Sequence, residues 1–144
     1  ELIDELPELY DHLFCAAGTG TTAAGILSGI NRKSIATIMH IVPVLKGADF
    51  LKKEIESLSG EVCFGFHTEY HFGGYAKTND ELLNFIKNFT GSTGILIDPV
   101  YTGKLLFAIY DLISKDYFTK GSRILAVHTG GITGVLGMAD RFKF

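Results

Sequence analysis

Three short stretches place small and hydroxylated residues directly after apolar runs. They are Ala17-Gly18-Thr19-Gly20-Thr21-Thr22, Asp98-Pro99-Val100-Tyr101-Thr102-Gly103-Lys104 and His128-Thr129-Gly130-Gly131. Each reads as the turn from a strand into a helix. A helix that begins there points its free backbone N–H groups outward, and at the carboxyl edge of a parallel sheet several such starts converge on one bound anion. Hydroxyls at Thr19, Thr21 and Thr22, with glycines between them, suit a phosphate monoester, which accepts several short N–H and O–H bonds at once. The same glycines also fit a plainer reading, a tight turn with close helix contact. Gly18-Thr19-Gly20-Thr21-Thr22-Ala23 matches GxGxxA, but a dinucleotide site also needs an acidic residue at the end of the next strand. Pro43-Val44-Leu45-Lys46 stands there instead, which weakens the dinucleotide reading.

The elements that must hold these turns follow from hydrophobic periodicity. Leu2 to Tyr10 reads as a helix interrupted by Pro7, and Leu13-Phe14-Cys15-Ala16-Ala17 as a short buried strand. Thr21 to Gly29 is a helix rich in alanine and glycine, able to lie close on a sheet. Ile35 to Val44 is a second strand, Ala48 to Leu58 an amphipathic helix, Glu61 to Phe66 a short strand and His67 to Lys77 an irregular insert. Thr78-Asn79-Asp80-Glu81 has the form of a capping box with Thr78 as the cap, leading Leu82, Leu83, Phe85, Ile86 and Phe89 at helical spacing. Ile95-Leu96-Ile97 is a strand, Gly103 to Ser114 a helix, Arg123 to Val127 a strand and Gly131 to Met138 a helix or turn. Strands separated by helices of this length predict βαβ units with right-handed crossovers, hence an α/β fold with a mostly parallel sheet and helices on both faces.

Composition sets the boundaries. With 144 residues, 47% of them hydrophobic and 20% charged, the chain can bury one substantial core. A net charge of −3 with dispersed Lys and Arg provides no basic stripe, so no nucleic-acid partner is expected. No apolar run reaches the roughly 18 residues of a membrane span, and the start Glu1-Leu2-Ile3-Asp4 lacks a basic signal region, which points to a cytoplasmic protein with no membrane partner. Cys15 and Cys63 lie inside apolar runs without metal spacing and read as reduced core residues. His40 reads as a core or strand-end histidine, and His128 as a residue that either packs or orients the last glycine turn. His67 and His71 flank Glu69, but without cysteine or further acidic partners no metal site is expected. Lys104, at a helix start, reads as a solvated lysine, and Lys52, Lys53, Glu54 and Glu56 as a solvated helix face.

Taken together, Gly18-Thr19-Gly20-Thr21-Thr22-Ala23-Ala24-Gly25, Gly73-Gly74-Tyr75, Leu96-Ile97-Asp98-Pro99-Val100-Tyr101-Thr102-Gly103-Lys104 and His128-Thr129-Gly130-Gly131 resemble one known family. It is that of 1-aminocyclopropane-1-carboxylate deaminase and D-cysteine desulfhydrase, pyridoxal 5'-phosphate enzymes of the tryptophan synthase β-type fold. The resemblance runs in order from about Asp11 to Gly137, and the string Asp98 to Lys104 is its most specific element. It implies that Gly18, Thr19, Gly20, Thr21 and Thr22 hold the cofactor phosphate, that Tyr75 and Tyr101 are active-site tyrosines over the cofactor face, and that Thr129 lies near the pyridine nitrogen. A tyrosine hydroxyl beside a cationic adduct loses its proton more easily than in water and serves as acid or base.

Two positions separate the branches of that family. The deaminase branch resembles a pattern with glutamate after the Tyr101 position and leucine at the Thr129 position, where this chain has Thr102 and Thr129. The resemblance is therefore to the desulfhydrase branch, and it implies β-elimination from D-cysteine to pyruvate, ammonia and sulfide. The alternatives are 1-aminocyclopropane-1-carboxylate deamination and a non-catalytic module that binds a phosphate ligand. A nucleotide-dependent oxidoreductase would need adenosine contacts for which the sequence offers no motif.

Family enzymes bind the aldehyde through a lysine in their amino-terminal half, followed by an asparagine, and carry a small domain there. Nothing before Asp11 matches, and Asn31-Arg32-Lys33 follows the first phosphate-turn helix, the wrong position. The expectation is that these residues are the carboxyl-terminal part of the large, cofactor-binding domain of a protein of roughly twice the length, homodimeric when whole. Alone they should not catalyse, and they should expose a sheet edge and an apolar face that favour self-association.

Overall fold

In the computed structural model, which describes Ile3, Glu5, residues 10–60 and residues 63–131, the apolar runs form a parallel sheet. The elements are β1 (His12–Ala17), α1 (Thr21–Arg32), β2 (Ile38–Pro43), α2 (Asp49–Ser59), β3 (Gly65–Phe66), a 3-10 turn (Thr68–His71), α3 (Asp80–Thr93), α4 (Thr102–Ser114) and β4 (Ile124–Ala126). The sheet order is β3-β2-β1-β4 and every pairing is parallel, with Phe14 opposite His40 on one side and Ala126 on the other. The α/β class expected from the alternation of periods is the class observed.

Strand parity divides the core. Leu13, Cys15, Ala17, Met39 and Ile41 point to the face covered by α1 and α2, where Ala23, Ile26, Leu27, Leu51 and Ile55 meet them. Phe14, Ala16 and Val42 point to the opposite face and pack on Leu105, Ala108, Ile109 and Leu112 of α4 together with Tyr70. Helices therefore cover both faces. α3 lies outside α4, joined to it through Leu82, Ile86 and Ile97. Each layer buries apolar surface at about 25 cal/mol per Å², so β1, buried on both faces, anchors both layers.

Several local expectations require correction. Ile95-Leu96-Ile97 is not a strand: Ile95 and Leu96 are exposed, and the Leu96 carbonyl accepts from His128 Nε2 at 3.2 Å rather than from a strand neighbour. The cap of α3 is Asn79, one residue later than expected, because its Oδ1 accepts from Leu82 N at 2.9 Å. Cys63 is exposed, since the strand it was assigned to begins only at Gly65. Cys15 is buried as expected, and burial raises its thiol pKa to about 11, which keeps it protonated. Most of the helix expected at Leu2 to Tyr10, residues Glu61 and Val62, and the helix or turn expected from Gly131 to Met138 beyond its first residue lie outside the described residues.

Candidate active site

β1 ends at Ala17, and the turn that follows is shaped by what glycine alone permits. A Cβ on Gly18 would stand 2.9 Å from the Tyr101 hydroxyl, so the tyrosine ring occupies the space a side chain would fill. Gly20 has φ +80, and a Cβ there would also meet Ile55 Cγ1 at 2.7 Å. Gly20 caps α1 with no side-chain acceptor, and the first turn of the helix carries no acidic residue. The first N–H groups of α1 therefore keep the partial positive charge of a helix start, with the exposed hydroxyls of Thr19 and Thr21 3.4 Å apart beside them. A cavity of about 230 Å³ opens here, lined by Ala16, Ala17, Gly18–Gly20, Thr22, Ala23, Tyr101 and Thr129.

The second turn is held by a carboxylate. Asp98, buried, accepts from Val100 N at 2.8 Å and Tyr101 N at 2.7 Å through Oδ1, and from Thr102 N at 2.9 Å through Oδ2. The Asp98 carbonyl accepts from Gly103 N at 2.7 Å, and a Cβ on Gly103 would come within 2.6 Å of that oxygen. This turn fixes the Tyr101 backbone against Gly18. The third turn docks on the second: His128 Nδ1 accepts from Gly130 N at 3.1 Å, which leaves Nε2 protonated to donate to Leu96 O. His128 thus orients the last glycine turn. A Cβ on Gly131 would stand 2.8 Å from Asp98 Oδ2.

All three turns singled out in the sequence therefore meet at one sheet edge. Of the candidate residues, Gly18, Thr19, Gly20, Thr22, Tyr101 and Thr129 line the cavity; Thr21 does not, though its hydroxyl lies 3.4 Å from that of Thr19. Thr102 does not line it; it is buried at the start of α4, with Oγ1 3.5 Å from His128 Nδ1. Tyr75 is exposed, its ring 6.0 Å from that of Tyr101 at 72°. Burial above all, then the hydroxyl of Tyr75 and the charge of Asp98, push the Tyr101 phenol up to about 12, so it is a proton donor at neutral pH.

Two features escaped the sequence reading. Lys104 is fully buried, not solvated; its Nζ donates to the carbonyls of His71 and Gly74, each at 2.8 Å. Burial lowers its pKa to about 8 against the opposing pull of Asp98. The signal was its place on the apolar stripe of α4, one and two turns before Ala108 and Leu112. His12, His40 and His67 form a chain of imidazoles, His12 Nδ1 to His40 Nε2 and His40 Nδ1 to His67 Nε2, each 3.0 Å. Burial holds all three below the usual histidine range, His40 at about 4. His67 and His71 spend nitrogens on separate partners, His40 and the Gly73 N–H, so they do not converge with Glu69.

A parallel α/β sheet with helices on both faces, and strand-to-helix turns that build one small cavity around an open helix start, defines a class of proteins that hold phosphorylated ligands at the sheet edge. The family model for pyridoxal-phosphate dependent enzymes matches residues 1–130, and the chain belongs to that family, whose cofactor is pyridoxal 5'-phosphate. It is 31% identical over 140 residues to the mitochondrial bifunctional D-cysteine desulfhydrase/1-aminocyclopropane-1-carboxylate deaminase of Arabidopsis thaliana, covering 92% of this chain and 35% of that protein. It is 28% identical to the 1-aminocyclopropane-1-carboxylate deaminase of Rhizobium rhizogenes, covering 97% of this chain and 45% of that protein. The crystal structure of an ACC deaminase homologue superposes with a TM-score of 0.87 at 28% identity, over 96% of this chain and 45% of that one. The chain thus spans less than half the length of these relatives.

Proposed function

We propose that the intact protein is a pyridoxal-phosphate-dependent lyase that acts on a small amino acid, D-cysteine above others. The balanced reaction is D-cysteine plus water giving pyruvate, ammonia and hydrogen sulfide. The observation that carries this reading is the convergence of the acid-free α1 start, Tyr101 and Thr129 on one cavity. The residues fit the phosphate end of the cofactor: Gly18, Thr19, Gly20, Thr21 and Thr22 offer backbone N–H and hydroxyl groups, and no carboxylate competes for them. When bound, the cofactor ring supplies an electron sink for the pair left on the substrate carbon after its proton is removed.

Thr129, which lines the cavity, would face the ring nitrogen, and Thr102 would support it through the histidine that orients the Thr129 turn. A hydroxyl at that nitrogen favours its protonated form less than a carboxylate would, which suits loss of a good leaving group such as thiolate better than opening of a carbon ring. Tyr101 keeps its phenol proton at neutral pH and presents it beside the phosphate turn. Tyr75, exposed and edge-on to Tyr101, is the partner that exchanges that proton with substrate or solvent. Among the described residues no lysine lines the cavity and Lys104 is committed to two carbonyls, in keeping with an aldehyde anchor supplied by another part of the intact protein. The chain by itself is accordingly expected to be inactive, and the intact protein to be a cytoplasmic homodimer.

The test is sulfide and pyruvate release from D-cysteine by the intact, cofactor-loaded protein, beside ammonia release from 1-aminocyclopropane-1-carboxylate. Sulfide in proportion to pyruvate supports the proposal. Turnover of the cyclopropane substrate without sulfide from D-cysteine assigns the deaminase activity instead. Cofactor retention with neither turnover assigns a binding module.

A further inference from the structure

Among the described residues Lys104 is the only lysine fully removed from solvent, and both of its acceptors are neutral carbonyls. Burying an ammonium group is costly unless its hydrogen bonds are met, so this placement asks what the two carbonyls gain. They belong to His71 and Gly74, the two ends of a turn in which Phe72 packs edge-on against Phe107 but Gly73 and Gly74 offer no side chain to hold it. Phe72, Gly73, Gly74 and Ala76 all have positive φ, between 51 and 123. Within the turn Gly74 N donates to His71 O at 3.0 Å, Gly73 N to His71 Nδ1 at 2.8 Å and Lys77 N to Gly74 O at 3.1 Å.

Tyr75 is the next residue. More than half of its surface, 56%, is exposed and its ring meets Tyr101 edge-on at 6.0 Å, so the turn beneath it sets where the phenol stands. Lys104 lies one turn of α4 after Tyr101, whose backbone Asp98 holds. One helix start thus carries Tyr101 directly and reaches through Lys104 to the turn that carries Tyr75.

We propose that Lys104 is a positioning residue for Tyr75: its Nζ fastens the 71–74 turn so that the Tyr75 phenol stays beside Tyr101 at the cavity mouth. This rests on the reading that Tyr75 handles a proton in the reaction. A neutral amine keeps two N–H groups, one for each carbonyl, so the clamp survives loss of the lysine proton near pH 8. Lys104 acts through the turn, and it neither touches the cavity nor supplies the aldehyde anchor.

The test uses the intact, cofactor-loaded protein and Lys104→Met. Amide hydrogen exchange in residues 67–78 should quicken by about 10-fold or more, while the 17–24 turn keeps its protection. With D-cysteine, kcat should fall by about 10-fold or more with KM within about twofold. Because Lys104 acts through Tyr75, K104M in a Tyr75→Phe background should cost no more than about a further twofold. Unchanged exchange in 67–78, or losses that multiply in the double variant, overturns the proposal. If K104M does not fold, Lys104→Gln decides: its shorter arm cannot span both carbonyls, so faster 67–78 exchange supports the clamp and wild-type exchange overturns it. If the protein turns over no D-cysteine, the catalytic reading fails on its own while the exchange comparison still decides whether Lys104 holds the turn.

Discussion

The two helices that begin at the cavity differ in what meets their first N–H groups. α1 starts at Gly20 with no side-chain cap and no acidic residue in its first turn, so its N–H groups face the cavity unfilled by the chain. α4 begins at Thr102, likewise with no cap side chain and no acidic residue in its first turn, but Asp98 in the preceding turn takes its first two N–H groups, Thr102 N on Oδ2 and Gly103 N on its carbonyl, besides Val100 N and Tyr101 N on Oδ1. A helix start filled by its own carboxylate has little left to offer a phosphate, yet it makes a rigid mount. Two helix starts at one edge have thus taken different tasks: α1 is left as an anion receptor, and α4 is closed to hold Tyr101 and Lys104 in place.

The largest expected effect comes from removing the internal plug. Asp98→Ala strands three N–H groups in a buried turn and should cost about 3 kcal/mol of stability, read from urea unfolding. Asp98→Asn keeps one oxygen for Val100 and Tyr101 and should cost about half as much. An Asp98→Ala variant within about 1 kcal/mol of wild type would remove the distinction between the two helix starts.

Much of the fold is legible in the sequence, though the contrast between the two helix starts is not. The alternation of periods 2 and 3.6 placed β1, β2, β4 and helices α1 to α4 close to where they stand, because amphipathic faces must be buried. The turns were legible because glycine and hydroxyl clusters after apolar runs have few structural uses. Ile95–Ile97 misled because three apolar residues form a strand only where a sheet edge reaches them, which local sequence does not report. Lys104 misled because a long cation is ordinarily solvated, and its acceptors lie 30 or more residues upstream in a loop. His12, His40 and His67 sit on separate segments and become a chain only through the β1–β2 and β2–β3 registers.

That imidazole chain gives the α4 side of the sheet a pH dependence the α1 side lacks. Phe14 stacks on His40 at 4.4 Å, Phe118 and Tyr117 close the site, and the nearby carboxylates of Asp11 and Glu69 favour charge on His12 and His67 without overcoming burial. Each folded-state pKa lies below the unfolded value, so the unfolded chain binds more protons as pH falls. Stability from these groups is complete above about pH 6.5 and is lost as pH drops towards 4, by about 3 kcal/mol from His40 alone. His40→Phe should flatten this profile in urea unfolding measured from pH 7 to 4. An unflattened profile would place the acid sensitivity elsewhere.

The smallest effect on the fold is the sharpest test of the open helix start. Thr21→Asp puts a carboxylate in the first turn of α1, which has none. A negative charge there favours the helix dipole, so the cofactor-free protein should gain about 0.5 kcal/mol of stability. The same charge repels a phosphate at that place, and affinity for pyridoxal 5'-phosphate should fall by about 10-fold or more, by spectroscopic titration. Pyridoxal, which lacks the phosphate, should bind the variant and the wild type alike, because only the anion meets the new charge. Equal losses for both ligands would mean that the substitution disturbs the cavity as a whole. A loss confined to the phosphorylated ligand would show that an uncapped, acid-free helix start is what the phosphate needs.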